Sequence, residues 1–80
     1  MSYTRNQIME EAEKIAFYHE QISEKMNLEK RQRSELLDMI ASAENLADHA
    51  ANKDMHFTAI TLLSTASRLN RKLILDLLKQ

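Results

Sequence analysis

Residues 46–69 read LADHAANKDMHFTAITLLSTASRL, and this stretch decides the fold. Asn52, Lys53 and Asp54 form the clearest turn in the chain, with Asp54 a candidate N-cap for the helix after it. On the near side of the turn, Ala43, Ala47 and Ala50 recur at helical spacing; on the far side Met55, Ala59, Leu62, Ala66 and Leu69 do the same, continuing to Leu73 and Leu77. A connection this short makes the two flanking helices antiparallel neighbours.

The helix after the turn carries more apolar residues than one face can hold. Ile60, Leu63, Ile74, Leu75 and Leu78 broaden its stripe, and residues 73–78 hold five apolar side chains around Asp76 alone. A helix that is hydrophobic on most sides is buried on most sides. It occupies the middle of a bundle, or it presents part of that surface to a partner. The excess sits at the C-terminal end, which favours the interface: Leu73, Ile74, Leu77 and Leu78 are the expected contacts, with Phe17 and Tyr18 as secondary anchors.

The helix before the turn starts near Glu29 and ends near Ala51. Its inner face is expected to hold Leu36, Ile40 and the alanines Ala41, Ala43, Ala47, Ala50 and Ala51. Small side chains let helices approach closely while each buries little area. Further upstream, Thr4 and Gln7 fit a capping box, and Ile8, Ala12, Ile15, His19, Ile22 and Met26 succeed one another at spacings of 4, 3, 4, 3 and 4. Ala16 widens that stripe. A first helix is predicted from Arg5 to Met26. Beyond it Glu29 and Arg33 stand where the stripe would continue. Asn27 in a left-handed conformation, with Leu28 folding back as the accompanying apolar contact, is the favoured end signal. The alternative is one long helix running through Asn27. The predicted fold is all-α: an antiparallel three-helix bundle, or a helical hairpin with an additional N-terminal helix, in one domain of residues 1–80 with helices at about 5–26, 29–51 and 55–79, expected to be oligomeric.

Composition narrows the function. The 80 residues include no glycine, proline or cysteine, so phosphate-cradling loops and thiolate chemistry are excluded and positive-φ turns have no dedicated residue. A core this small rarely supplies more than about 3 to 5 kcal/mol without disulfides, metals or oligomerisation. No apolar run reaches membrane-span length and the N-terminus lacks an apolar signal region, so the expectation is a cytoplasmic protein without membrane contact.

Eleven Lys and Arg against twelve Asp and Glu leave a formal net charge of -1, which gives no whole-molecule attraction to nucleic acid. The charges are nevertheless segregated. Glu10, Glu11, Glu13, Glu20 and Glu24 precede a basic group of Lys25, Lys30, Arg31 and Arg33, and Arg68, Arg71, Lys72 and Lys79 form a second. Acids early and bases late in a helix complement its dipole. The same residues, Lys25, Lys30, Arg31, Arg33, Arg68, Arg71 and Lys72, are the candidates for binding an anion, aided by the hydroxyls of Thr58, Thr61, Ser64, Thr65 and Ser67.

Three histidines do not make a metal site by spacing. None stands four residues from another, although His49 and His56 could converge across the Asn52 turn. His19, mid-stripe, is expected to be structural or pH-sensitive. No Ser or Thr has a histidine and an acid at triad spacing. The sequence therefore predicts no catalytic, metal or cofactor residues. It predicts a non-enzymatic adaptor, inhibitor or regulator that self-associates and binds another protein through apolar helix faces, with an oligomeric binder of nucleotide or nucleic acid as the alternative.

Overall fold

The computed structural model describes residues 3–79, which build three helices: α1 (Arg5–Ser23), α2 (Lys30–Asn52) and α3 (His56–Leu78). Ile8 and Ile22 mark the two ends of α1 against the core. Ile8 packs with Ala47, Ala50, Ala59 and Leu62 near the α2–α3 turn, and Ile22 with Leu36, Leu69 and Leu73 at the opposite end. These contacts fix the direction of each helix: α1 and α3 run from the turn end to the far end, and α2 runs back between them. This is the antiparallel three-helix arrangement the periodicity predicts.

Side-chain size is graded along the core. Ala43, Ala47, Ala50, Ala59 and Ala66 stand among Ile8, Ile15, Leu46 and Leu62 toward the turn end, while only large residues, Ile22, Leu28, Leu36, Leu69 and Leu73, fill the other. Helix α1 touches both partners more sparsely than they touch each other. Ala41 and Ala51, expected on the inner face of α2, are exposed; Leu46 is buried in their place. Met26, expected to close the α1 stripe, is 75% exposed because α1 stops before reaching it.

Helix boundaries have local causes. At the start of α1 the Gln7 amide donates to Thr4 Oγ1 (3.1 Å) and the Thr4 amide to Gln7 Oε1 (2.9 Å), completing the expected capping box. The helix ends at Ser23, whose hydroxyl donates to the His19 carbonyl at 2.6 Å. The break near Asn27 is real, but Asn27 is not left-handed; Asp54 is the one described residue with positive φ. Helix α2 starts from an extended Glu29, whose amide donates to Gln32 Oε1 at 2.9 Å.

Asp54 is not the N-cap of α3. With φ of 59° it stands one residue beyond the C-cap of α2. The Met55 amide reaches back to the Ala50 carbonyl (2.9 Å) and the Asp54 amide to the Ala51 carbonyl (3.1 Å). Those two bonds define a Schellman turn, and Met55 supplies its usual apolar contact by packing on the core that contains Ala50. Glycine ordinarily holds this position; here aspartate, one of the few residues that visit the region, takes it. Asp54→Gly is therefore expected to raise stability by about 0.5 to 1 kcal/mol, read as a higher urea midpoint at unchanged slope.

Candidate functional site

A chain segment outside helices must place its backbone polar groups elsewhere. Between α1 and α2, the Leu28 backbone and the Lys25 carbonyl do so through charged side chains from α2 and α3. The Leu28 amide donates to Asp76 Oδ1 at 3.1 Å, and Arg33 Nη1 donates to the Leu28 carbonyl at 2.7 Å. Arg33 also reaches Asp76 Oδ2 at 3.5 Å. Lys72 Nζ donates to the carbonyls of Ser23 (3.4 Å) and Lys25. Asp76 is 6% exposed, the one buried charged residue among those described. This clamp joins all three helices at one end.

The clamp corrects two expectations. Leu73 is buried in the core and is not a surface contact. Arg33 and Lys72, counted among the anion-binding candidates, are bonded within the fold. Arg31 lies 3.9 Å from Glu35, while Lys25, Lys30, Arg68 and Arg71 are exposed. The signal for Asp76 lies in the spacing: Leu62, Ala66, Leu69, Leu73 and Asp76 are separated by 4, 3, 4 and 3, whereas Leu77, placed on that stripe by its apolar character, is half-exposed.

Large apolar side chains stand on the surface in quantity. Among the described residues eleven are exposed, against nine leucines and isoleucines buried, and seven of the eleven lie on α3: Phe57, Ile60, Leu63, Ile74, Leu75, Leu77 and Leu78. They flank the helix on more than one side. Between α1 and α3 runs an open groove floored by Ala12, Ala16, Thr58, Thr61 and Thr65, with Met9 and Phe57 along it and Glu13 in its lining. Its volume, 220 Å³, is below the roughly 300 to 1,000 Å³ of small-molecule pockets, so it suits inserted side chains better than an enclosed ligand. Phe57 stands 82% exposed there. Three of the hydroxyl residues noted in the sequence thus line an apolar groove, and Thr58 Oγ1 lies 3.7 Å from Met9 Sδ.

A second groove lies between α2 and α3, lined by Ile40, Glu44, Leu63, Ala66, Ser67 and Asn70, with no residue of α1. Thr65 and Ser67 are two residues apart, hence about 200° around the helix, which places the two grooves on opposite sides of α3. At the C-terminal end Leu75 and Leu78 join Met26 beside Lys72 and Asp76 in a third surface depression. Of the expected contacts, Phe17, Ile74, Leu77 and Leu78 are accessible.

Tyr18 is less available than its position suggests. Its ring packs against the Leu36 and Leu69 end of the core, and its hydroxyl is buried without a hydrogen-bond partner among the described residues. Burial first, and the Glu35 charge second, push its pKa above the ordinary tyrosine value. His19 is half-buried on α1. His49 and His56 have different neighbours: the His49 ring meets Tyr3 edge-on at 4.8 Å, and His56 lies 3.8 Å from Asp54. No described helix is long and apolar enough to cross a membrane. No family model, curated protein or solved structure matches this chain.

Proposed function

We propose that this protein is a non-enzymatic interaction module that docks an amphipathic helix of another protein in the groove between α1 and α3. The observation that carries the reading is the apolar lining of this groove, where Met9 and the 82% exposed Phe57 stand beside Ala12, Ala16 and Leu62. The groove has the features of helix recognition. Alanine and threonine on its floor allow close backbone approach, Met9 and Phe57 supply adaptable and aromatic contact, and Glu13, with Glu10 nearby, favours a partner bearing Lys or Arg beside its apolar face. The anion-binding alternative is weaker, because Arg33 and Lys72 already serve the fold.

Thr61→Arg fills the groove and adds a charge at an exposed position, so the fold is expected to survive while docking is lost. Quantitative affinity capture with the native chain and with Thr61→Arg, and then titration of each captured protein, tests the reading. A partner whose affinity falls at least about ten-fold, equivalent to 1.4 kcal/mol, supports it. Equal binding by the two chains counts against the groove.

A further inference from the structure

The side of α3 away from that groove carries a second pattern. Ile60, Leu63, Ser67, Asn70, Ile74 and Leu77 stand at spacings of 3, 4, 3, 4 and 3, the repeat of a coiled-coil seam. None of the six is buried in the core, which α3 contacts through a separate row of Ala59, Leu62, Ala66, Leu69 and Leu73. The seam reads the same in both directions: two large aliphatic residues, two small polar ones, two large aliphatic ones. A two-fold axis crossing α3 midway between Ser67 and Asn70 therefore sets Ile60 against Leu77 of a second copy, Leu63 against Ile74, and Ser67 against Asn70.

We propose that α3 pairs with α3 of a second copy in antiparallel orientation through this seam, so that the working molecule is a two-fold homodimer. A two-fold interface must be complementary to itself, and a charge near the axis would face its own copy. The six seam positions contain no Asp, Glu, Lys or Arg; Arg68 and Arg71, beside the axis, stand about 100° round the helix from Ser67 and Asn70, and Glu44 of α2 lines the groove at the edge of the seam. The hydroxyl of Ser67 and the amide of Asn70 can exchange hydrogen bonds across the axis, and a polar pair inside an apolar seam fixes register. The molecule is 41 Å long, and the seam from Ile60 to Leu77 runs along about 25 Å of helix. The α2–α3 groove with Ile40 lies beside it. The α1–α3 groove stays on the outside of each copy, so the dimer is two-headed; the pairing itself does not depend on what the groove binds.

The chain has no cysteine, which makes orientation directly testable. Ile60→Cys and Leu77→Cys chains are prepared separately, mixed and oxidised. Antiparallel pairing gives the mixed disulfide, while residue 60 stays about 25 Å from its own copy along the axis, so neither chain cross-links to itself. A parallel pair gives the self-linked products and overturns the proposal, as does a random mixture of all three. Charge exchange gives a second reading. Leu63→Glu or Ile74→Lys alone is expected to weaken self-association at least ten-fold, and combining them in one chain restores it, because each Glu then meets a Lys. Failure of the double variant to associate while its helical circular dichroism is intact also overturns the proposal.

Discussion

Asp76→Ala is expected to lower the unfolding free energy by about 2 to 4 kcal/mol, because it removes a buried carboxylate and strands both of its partners. The Leu28 amide loses its acceptor in a buried site, and Arg33 keeps a charge that is 22% exposed with only the Leu28 carbonyl to meet it. For a domain of this size each kcal/mol shifts the melting temperature by roughly 4 to 8 °C, so a fall of about 8 to 32 °C should be seen by circular dichroism. Asp76→Asn keeps an oxygen that can accept from Leu28 and should cost distinctly less. Equal losses for the two variants would show that the charge, and not the acceptor, holds residues 24–29. Amide exchange at Leu28 separates the cases independently: the native chain should protect that non-helical amide, and Asp76→Ala should release it.

Leu69→Ala should cost about 3 to 4 kcal/mol, in the range for a fully buried leucine, whereas Leu63→Ala, six residues earlier on the same helix, should cost less than about 1 kcal/mol in the isolated monomer. The contrast comes from burial. Leu69 is 0% exposed among Ile22, Leu28, Leu36 and Leu73, and Leu63 is 51% exposed in the α2–α3 groove. Urea unfolding at protein concentrations below association measures both. At higher concentration the Leu63→Ala penalty should grow, because dimerisation adds stability by mass action and that residue lies in the seam. A concentration-independent penalty would confine Leu63 to the monomer.

The two faces of α3 show what the sequence could and could not convey. Periodicity identifies three helices, their antiparallel order and the Thr4 capping box, because each depends on neighbours within one or two turns. The surplus of apolar residues on α3 is equally plain. What composition conceals is partnership over distance: nothing near Asp76 announces an amide 48 residues away, and an aspartate among leucines reads as an interruption until the 4-3 spacing is traced through it. The left-handed position falls on Asp54, and not on Asn27; the Leu28 backbone is instead satisfied by Asp76 and Arg33, and the Lys25 carbonyl by Lys72. Apolar character alone places Leu73 on the surface, although its position in line with Leu62, Ala66 and Leu69 belongs to the core.

The α1–α3 groove is not legible as such, since its floor is made of alanines and threonines that look ordinary on each helix separately. It exists because α1 packs sparsely on the tight α2–α3 pair. A partner helix in that groove and a second copy on the opposite side of α3 would cover Phe57 and Met9 on one side and Ile60, Leu63, Ile74 and Leu77 on the other. Two outward grooves on one dimer would also raise the avidity for any target that offers two helices at matching separation.

Light scattering on the native chain across a concentration series tests most directly whether the outer face of α3 is covered by a second copy. The chain mass is 9.3 kDa, and the measured mass should climb to twice that value as concentration rises. A mass that stays at that of one chain up to millimolar concentration would contradict the account.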